Sequence, residues 1–192
     1  MKRIIFAFLI FIPSYTNGQS ESLRFGMKLE FYAYTLQSIE IESLENESYA
    51  KRFTVSPVPS MYFIVTKDLS ESFSISLKPG LLLEPELFGG FEFGLFADYK
   101  FPNNILLNGG INIHIPPETS HGTQRYEGTD SAPIFFIFFG IGYRITNVFH
   151  IDIAYHLALN PEFGHTSYNL PPYSSGPLKL YNMLKVGLTI AP

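Results

Sequence analysis

The sequence predicts an all-β fold: a closed antiparallel eight-stranded transmembrane β-barrel with short turns at one end and longer loops at the other. Three observations support this. Apolar and polar residues alternate along most of the chain, short and long connections alternate, and the chain begins like an exported protein. The first alternating segment interleaves Leu23, Phe25, Met27, Leu29, Phe31 and Ala33 with Arg24, Gly26, Lys28, Glu30, Tyr32 and Tyr34. A period of two places these sets on opposite faces of a strand.

The N-terminal residues have the layout of a secretory signal peptide. The positive pair Lys2 and Arg3 precedes the apolar run Ile4–Ile12, and the short polar stretch Pro13–Gly18 follows. The apolar run is too short for a membrane-spanning helix, which needs about 20 residues. The segment is therefore interpreted as an export signal and not as a membrane anchor.

We expect residues 1–18 to be removed and residues 19–192 to form one outer-membrane barrel domain. The chain has no cysteine, so this exported fold must form without disulfides. The formal net charge of the whole chain is −4, and loss of Lys2 and Arg3 makes it more acidic. An acidic chain argues against a nucleic-acid partner. Nothing in the sequence indicates a cofactor.

Eight segments alternate strongly enough to be predicted as strands. Their expected bounds are Ser22–Leu36, Phe53–Val65, Ser72–Leu83, Gly90–Phe101, Ile105–Ile115, Pro133–Ile145, Val148–Leu159 and Leu178–Ile190. Each approaches or exceeds the 9–11 residues with which a tilted strand crosses a bilayer. Each segment is therefore long enough to span a membrane.

The connections between these segments alternate in length. The short ones are Thr66–Glu71, Pro102–Asn104 and Thr146–Asn147, in which Asn can adopt a positive φ. The others are Gln37–Arg52, Glu84–Gly89, Pro116–Ala132 and Asn160–Pro177. Bacterial outer-membrane barrels have short periplasmic turns and longer extracellular loops. We therefore expect both termini in the periplasm and the long loops outside the cell.

The facing of the charged residues separates a membrane barrel from an exported soluble barrel of lipocalin type. On the fourth strand, Phe91, Phe93 and Leu95 share a register that excludes the charged Glu92 and Asp98. Almost no charge occurs in the apolar register of any strand. A lysine or arginine facing lipid at mid-membrane costs about 2–4 kcal/mol, so this pattern favours an apolar face turned toward lipid. The soluble lipocalin-like barrel, which would bind a ligand inside, remains the alternative fold.

The polar register supplies a candidate interior network of charged and histidine side chains. Its members are Arg24, Lys28, Glu30, Lys78, Glu92, Asp98, Lys100, His114, Arg144, His150, Asp152, His156, Lys179 and Lys185. An eight-stranded barrel has an interior just wide enough to be filled by side chains. Buried charges must be paired. We expect a structural salt-bridge network that fills the lumen, and no open pore.

Aromatic and proline residues add detail to the strands. Aromatic residues of the apolar register lie beside the short turns and predict an interfacial girdle: Phe63, Phe73, Tyr99, Phe101, Tyr143 and Phe149. On the sixth strand, Ile134, Phe136 and Phe138 are predicted to point inward and plug the lumen. Pro57 and Pro59 remove hydrogen-bond donors, so irregular pairing is expected there.

No metal site is predicted. His150 and Asp152 share the lumen register, but His156 lies three same-face steps beyond His150, about 20 Å along the strand. No cysteine and no third ligand at a suitable spacing accompany the pair.

The long loops carry the candidate contacts with an extracellular ligand or another envelope protein. They are Glu40, Glu42, Glu45 and Glu47 in the acidic first loop, and His121, Arg125, Tyr126, Tyr168 and Tyr173 in the third and fourth. Loops on a rigid scaffold commonly carry recognition.

The hairpin from Gly142 to Tyr155 and the closing strand Leu184–Ile190 resemble a known family. The mature chain is similar to small outer-membrane barrels of OmpA/OmpX type, in the loop-rich versions common in Bacteroidota. The resemblance implies a Gram-negative cell-envelope protein that contacts outer-membrane lipid and is inserted by the barrel-insertion machinery.

One enzymatic alternative also rests on a resemblance. The segment Tyr155–Pro161 is similar in order to the late strand of lipid A deacylase barrels, which carry a His-x-Ser pair. In this chain Ala158 occupies the position of the nucleophilic serine after His156. Without a nucleophile there is no acyl transfer by this route. We therefore expect a non-enzymatic barrel that is structural or binds through its loops, with a degenerate deacylase-like barrel as the alternative.

Overall fold

The computed structural model describes residues 23–43, 46–56, 58–83, 89–116, 127–129, 132–167 and 175–190. Their strands are β1 Leu23–Ser43, β2 Asn46–Val55, β3 Ser60–Asp68, β4 Phe73–Leu82, β5 Gly90–Lys100, β6 Ile105–Ile115, β7 Glu127–Thr129, β8 Ile134–Arg144, β9 Phe149–Ala158, β10 Glu162–Ser167 and β11 Ser175–Ile190. The expected signal peptide lies outside the described residues.

Eight of these strands form a closed antiparallel wall. Their order around the barrel is β1, β3, β4, β5, β6, β8, β9 and β11. Pairing between β1 and β11 closes the ring, from Met27 opposite Ile190 to Gln37 opposite Lys179. The predicted closed eight-stranded barrel is confirmed.

The three short connections lie between the predicted pairs of strands, but Thr66–Asp68 belong to β3 and not to the first turn. Tight turns join β3 to β4, β5 to β6 and β8 to β9. In the second of them Asn104 has a φ of 66°, the positive value expected for asparagine in a turn. The turns share one end of the barrel, here called the short-turn end, and the opposite end is the loop end.

The segment expected to be the first long loop is largely a β-hairpin, so that prediction is wrong. The strand β1 continues to Ser43, and β2 pairs with it from Val55 opposite Ala33 to Asn46 opposite Ser43. The apolar-polar alternation continues through Ile39 and Ile41, but the many acidic residues of this segment are also typical of a solvated loop. Hairpin pairing within the chain overrides the low strand propensity of those residues.

A second set of strands lies beside the β1–β2 hairpin at the loop end. The strand β10 pairs with the outer part of β11, and β7 pairs with β10. The strands β2, β1, β11, β10 and β7 are therefore neighbours in one sheet that extends the wall at the loop end.

The predicted second strand, Phe53–Val65, is interrupted. The strand β2 ends at Val55 and β3 begins at Ser60, and both pair with β1 at different heights. Pro59 lies in the interruption, while Pro57 lies outside the described residues. The prediction of irregular pairing is confirmed, because proline cannot donate a hydrogen bond to the ladder.

The barrel is apolar outside and polar inside over much of its height. Outward side chains such as Phe25, Phe31 and Ile111 are more than half exposed, whereas Glu30 and Lys185 are fully buried. The aromatic residues expected in a girdle are all exposed: Phe63, Phe73, Tyr99, Phe101, Tyr143 and Phe149. This distribution is the reverse of a soluble barrel and is the arrangement of transmembrane β-barrels.

No helix among the described residues is long and apolar enough to cross a membrane.

The part of the lumen toward the loop end is filled by apolar side chains. The inward orientation predicted for Ile134, Phe136 and Phe138 is confirmed, since each is buried. Ile134 and Phe136 belong to a packed cluster with Tyr32, Tyr34, Leu36, Leu82, Phe163, Leu178, Leu180 and Met183. The barrel interior therefore has an apolar layer on the loop-end side of its charged layer.

A bulge in β11 reverses the expected facing of its outer part. The register with β1 shifts between Thr35 and Leu36, which leaves Tyr181 as an additional residue on β11. Leu180 is consequently buried in the lumen, and the predicted inward orientation of Lys179 is wrong. A one-residue insertion exchanges the two faces of a strand, and alternation alone does not reveal it.

Candidate functional site

A layer of ion pairs crosses the lumen near mid-height. Lys28 Nζ lies 2.9 Å from Glu30 Oε1 and 2.7 Å from Asp152 Oδ1. Lys78 Nζ donates to the same Glu30 oxygen at 2.8 Å. These contacts join three strands that are not adjacent in the ring, because β3 lies between β1 and β4, and β11 lies between β1 and β9.

A second cluster is centred on Glu92. Its Oε2 accepts a hydrogen bond from Lys185 Nζ at 2.6 Å and another from the Tyr62 hydroxyl at 2.6 Å. Lys185 Nζ also lies 3.5 Å from Glu30 Oε2, which links this cluster to the first. Tyr62 lies under Lys78, whose Nζ is 4.4 Å from the ring centroid.

The charges in this layer balance. Lys28, Lys78 and Lys185 face the carboxylates of Glu30, Glu92 and Asp152, and all six side chains are at most 8% exposed. Removing a charge from water is costly unless a partner and hydrogen bonds compensate it. The strand alternation brings the six side chains inward, and closure of the ring brings them together. We call these six residues and Tyr62 the lumen network.

Two buried histidines border the lumen network. His114 Nδ1 lies 3.6 Å from Glu92 Oε1. The ring of His156 stacks on Phe138 with centroids 4.7 Å apart, and the side chain is fully buried. His156 therefore belongs to the packed interior and does not reach the lipid-facing surface.

A further polar cluster, separate from the lumen network, lies at the short-turn end. Asp68 accepts hydrogen bonds from Arg24 Nε at 2.8 Å and from Lys100 Nζ at 2.9 Å. Beside it, Ser76 donates to Asp98 at 3.5 Å. A cavity of about 60 Å³, with room for a few water molecules, is lined by residues that include Arg24, Lys28, Asp98, Lys100, His150 and Asp152.

The structure distributes the other predicted site residues unevenly. Arg144 and His150 are half-buried and paired in register near the short-turn end. Lys179 lies apart from the lumen network, 3.4 Å from Glu162 near the loop end. Its different position follows from the bulge at Tyr181.

The predicted loop contacts are only partly described. Glu40 and Glu42 belong to β1 and Glu47 to β2, so they are on the hairpin extension. The remaining ones lie outside the described residues: Glu45, His121, Arg125, Tyr126, Tyr168 and Tyr173.

Sequence reasoning missed two members of these clusters. The sequence predicts a turn at Asp68, although this residue lies two positions after Thr66 in the inward register, and that spacing is the signal for an inward side chain. Tyr62 also lies in the polar register, but its neutral phenol carries no charge signal that would mark it as a partner of buried ions. Asp68 accepts a hydrogen bond from the predicted Arg24, and Tyr62 donates one to the predicted Glu92.

No group of three or more His, Cys, Asp or Glu side chains suitable for a metal ion occurs within the described part of the chain.

The closed wall, the outward apolar side chains and the buried charges define the class of this protein as a small transmembrane β-barrel. No protein-family model matches the chain, and no curated protein matches its sequence. Among solved structures it is similar to Neisserial surface protein A, with 13% identity and a TM-score of 0.44 over 86% of this chain and 96% of that one. It is also similar to the outer membrane protein AlkL in DMPC bilayers, with 10% identity and a TM-score of 0.44 over 94% and 97%. The fold assignment rests on the strand pairing itself.

Proposed function

We propose that this chain is a non-enzymatic outer-membrane β-barrel protein whose lumen is closed and whose role, structural or binding, lies at its loop end. The observation that carries this proposal is the balanced lumen network, which crosses the barrel with buried and paired charges. An outer-membrane location is supported by the apolar outer surface together with the signal-peptide layout of the first residues. The OmpA/OmpX-type resemblance remains a prediction.

Two layers support a closed lumen. The lumen network occupies mid-height, and the apolar cluster around Phe136 and Leu180 fills the interior above it. A solute crossing the barrel would have to displace both layers. The interior of an eight-stranded barrel holds little more than its own side chains, whereas open porins have 16 or more strands.

The loop end is the natural place for contacts with other molecules. The strands β1, β2, β10 and β11 continue the wall there as paired hairpins, which present side chains on a rigid support. We propose that an envelope protein or an extracellular ligand contacts this end, and that the barrel-insertion machinery acts on the chain during biogenesis. No nucleic-acid partner is proposed.

The deacylase-like alternative is less well supported. His156 is packed on Phe138 inside the lumen, and its partner position holds Ala158. A lipid hydrolase needs a nucleophile beside its base and access to the acyl chains. Neither requirement is supported by the surroundings of His156.

Electrical recording tests the closed lumen. Purified protein is inserted into planar lipid bilayers, and the wild type is expected to give no steady ion conductance. Leakage is expected from Phe136→Ala/Lys185→Ala, which removes one large side chain from each layer. Matched truncation of two outward residues, Phe135→Ala/Val186→Ala, should leave the bilayer sealed. Stable open channels in the wild type would contradict the proposal.

A further inference from the structure

The bulge in β11 creates a basic patch on the outside of the barrel near the loop end. Gln37 on β1 lies opposite Lys51 on β2 and opposite Lys179 on β11, so the three residues share one face of neighbouring strands. Directly opposite residues have Cβ atoms about 4.5–5.5 Å apart. Together with Tyr181, these three residues form what we call the outer lysine patch.

Burial shows that this face points away from the lumen. Leu36 and Leu180, which neighbour Gln37 and Lys179 in sequence, are buried in the apolar cluster. Gln37 and Lys179 are therefore on the opposite, outer face. On β2, Phe53 is the next residue of that face and is 68% exposed.

Contacts inside the outer lysine patch hold one lysine in place. The Tyr181 hydroxyl donates a 2.6 Å hydrogen bond to Gln37 Oε1, and Lys51 Nζ lies 4.2 Å from the centroid of the Tyr181 ring. Lys179 faces Glu162 at 3.4 Å, but both side chains are substantially exposed. An exposed ion pair is weak, so a more strongly charged anion can replace Glu162 beside Lys179.

The height of the patch matches the headgroup region of a membrane. The ten steps from Leu23 to Ala33 cover about 33 Å along the strand, or about 25 Å along the axis at a tilt of about 40°. That distance equals the usual apolar band of such barrels. Gln37 lies four residues beyond Ala33, so the lysines flanking it are just above the band, where their aliphatic stems can lie along apolar side chains such as Phe53.

We propose that the outer lysine patch binds a phosphate group on a lipid of the outer leaflet. The two ammonium groups lie on β2 and β11, the strands that flank β1, and together attract a doubly charged phosphate. The apolar surface below them accepts the acyl chains. The location of the patch at the membrane surface rests on the proposed outer-membrane function. The bulge is essential, because without it Lys179 would face the lumen.

Native mass spectrometry of the detergent-solubilised full chain tests this site. The probes are lipid A carrying two phosphates and the same lipid with its phosphates removed. The wild type is expected to bind the phosphorylated lipid at least tenfold more tightly. Lys51→Gln/Lys179→Gln should abolish that preference, and Lys51→Arg/Lys179→Arg should keep it. Lys67→Gln, which removes an outward lysine at the short-turn end, is the matched control and should also keep it.

Two outcomes would overturn the site. One is an unchanged phosphate preference in the folded double glutamine variant, with folding checked by heat-modifiable migration on a gel. The other is full displacement of the lipid by an equal concentration of inorganic phosphate, which would identify a free anion as the ligand. Cell fractionation separately tests the outer-membrane location, so failure of the site and failure of the proposed function are distinguishable.

Discussion

Glu92 shows how the interior depends on individual residues. Its carboxylate is fully buried and accepts hydrogen bonds from Lys185 and Tyr62, both at 2.6 Å. Removing one partner of a buried ion pair is strongly destabilising, by about 3–5 kcal/mol, because the remaining charge is left without compensation. Glu30 lies 3.5 Å from Lys185 and can compensate only part of that loss.

We therefore expect Glu92→Gln to lower the free energy of unfolding by about 3 kcal/mol. Urea denaturation in lipid vesicles measures it, with the exposed Glu71→Gln at the short-turn end as the control, which should change stability by less than about 0.5 kcal/mol. The double variant Glu92→Gln/Lys185→Met should lose less than the sum of the two single changes, because it removes both charges. Equal losses in Glu92→Gln and Glu71→Gln would contradict a structural role for the network.

At the scale of elements, the wall requires close approach of strands at specific glycines. Gly110 on β6 faces the lumen beside β5, and a Cβ built there would collide with the Leu95 carbonyl oxygen and lie 2.7 Å from the Phe96 Cα. Its neighbour Gly109 faces outward, where a Cβ would meet only the Phe138 oxygen at 3.4 Å. Adjacent glycines thus have opposite tolerance to a methyl group.

We expect Gly110→Ala to destabilise the barrel by about 1–3 kcal/mol, because backbone atoms of β5 must move to admit the methyl group. Gly109→Ala should be close to neutral. The two variants are compared by urea unfolding and by the yield of folded barrel at a fixed temperature. A smaller loss of stability in Gly110→Ala than in Gly109→Ala would contradict a close β5–β6 approach at Gly110.

The strand boundaries show which parts of the strands the local sequence pattern predicts. Residues Ile105–Ile115 form β6 with the predicted bounds, because a tight turn and clean alternation delimit them. By contrast, the sequence predicts loops for the outer parts of β1 and β11. Those residues become strands only because a hairpin partner pairs with each of them, which is a property of the folded chain.

The orientation of the whole molecule in the membrane can be tested because the chain contains no cysteine. A single introduced cysteine is therefore the only thiol that a maleimide reagent can label. Arg52 is exposed near the loop end, and Asn103 is exposed in a short turn. We predict that a membrane-impermeant maleimide labels Arg52→Cys in intact cells and labels Asn103→Cys only after the outer membrane is permeabilised. Labelling of Asn103→Cys alone in intact cells would mean that the barrel is inverted.

By itself, the sequence determined the number of wall strands, the short turns, and the separation of apolar and charged faces, because a period of two is a local property of the chain. Only the tertiary structure decided which charges meet. Lys28 reaches Asp152 across 124 positions of sequence, and Lys185 reaches Tyr62 across 123. Such pairings exist only after the ring closes. The tertiary structure also decided the face of Lys179, since one additional residue opposite β1 turned that side chain from the lumen to the outside.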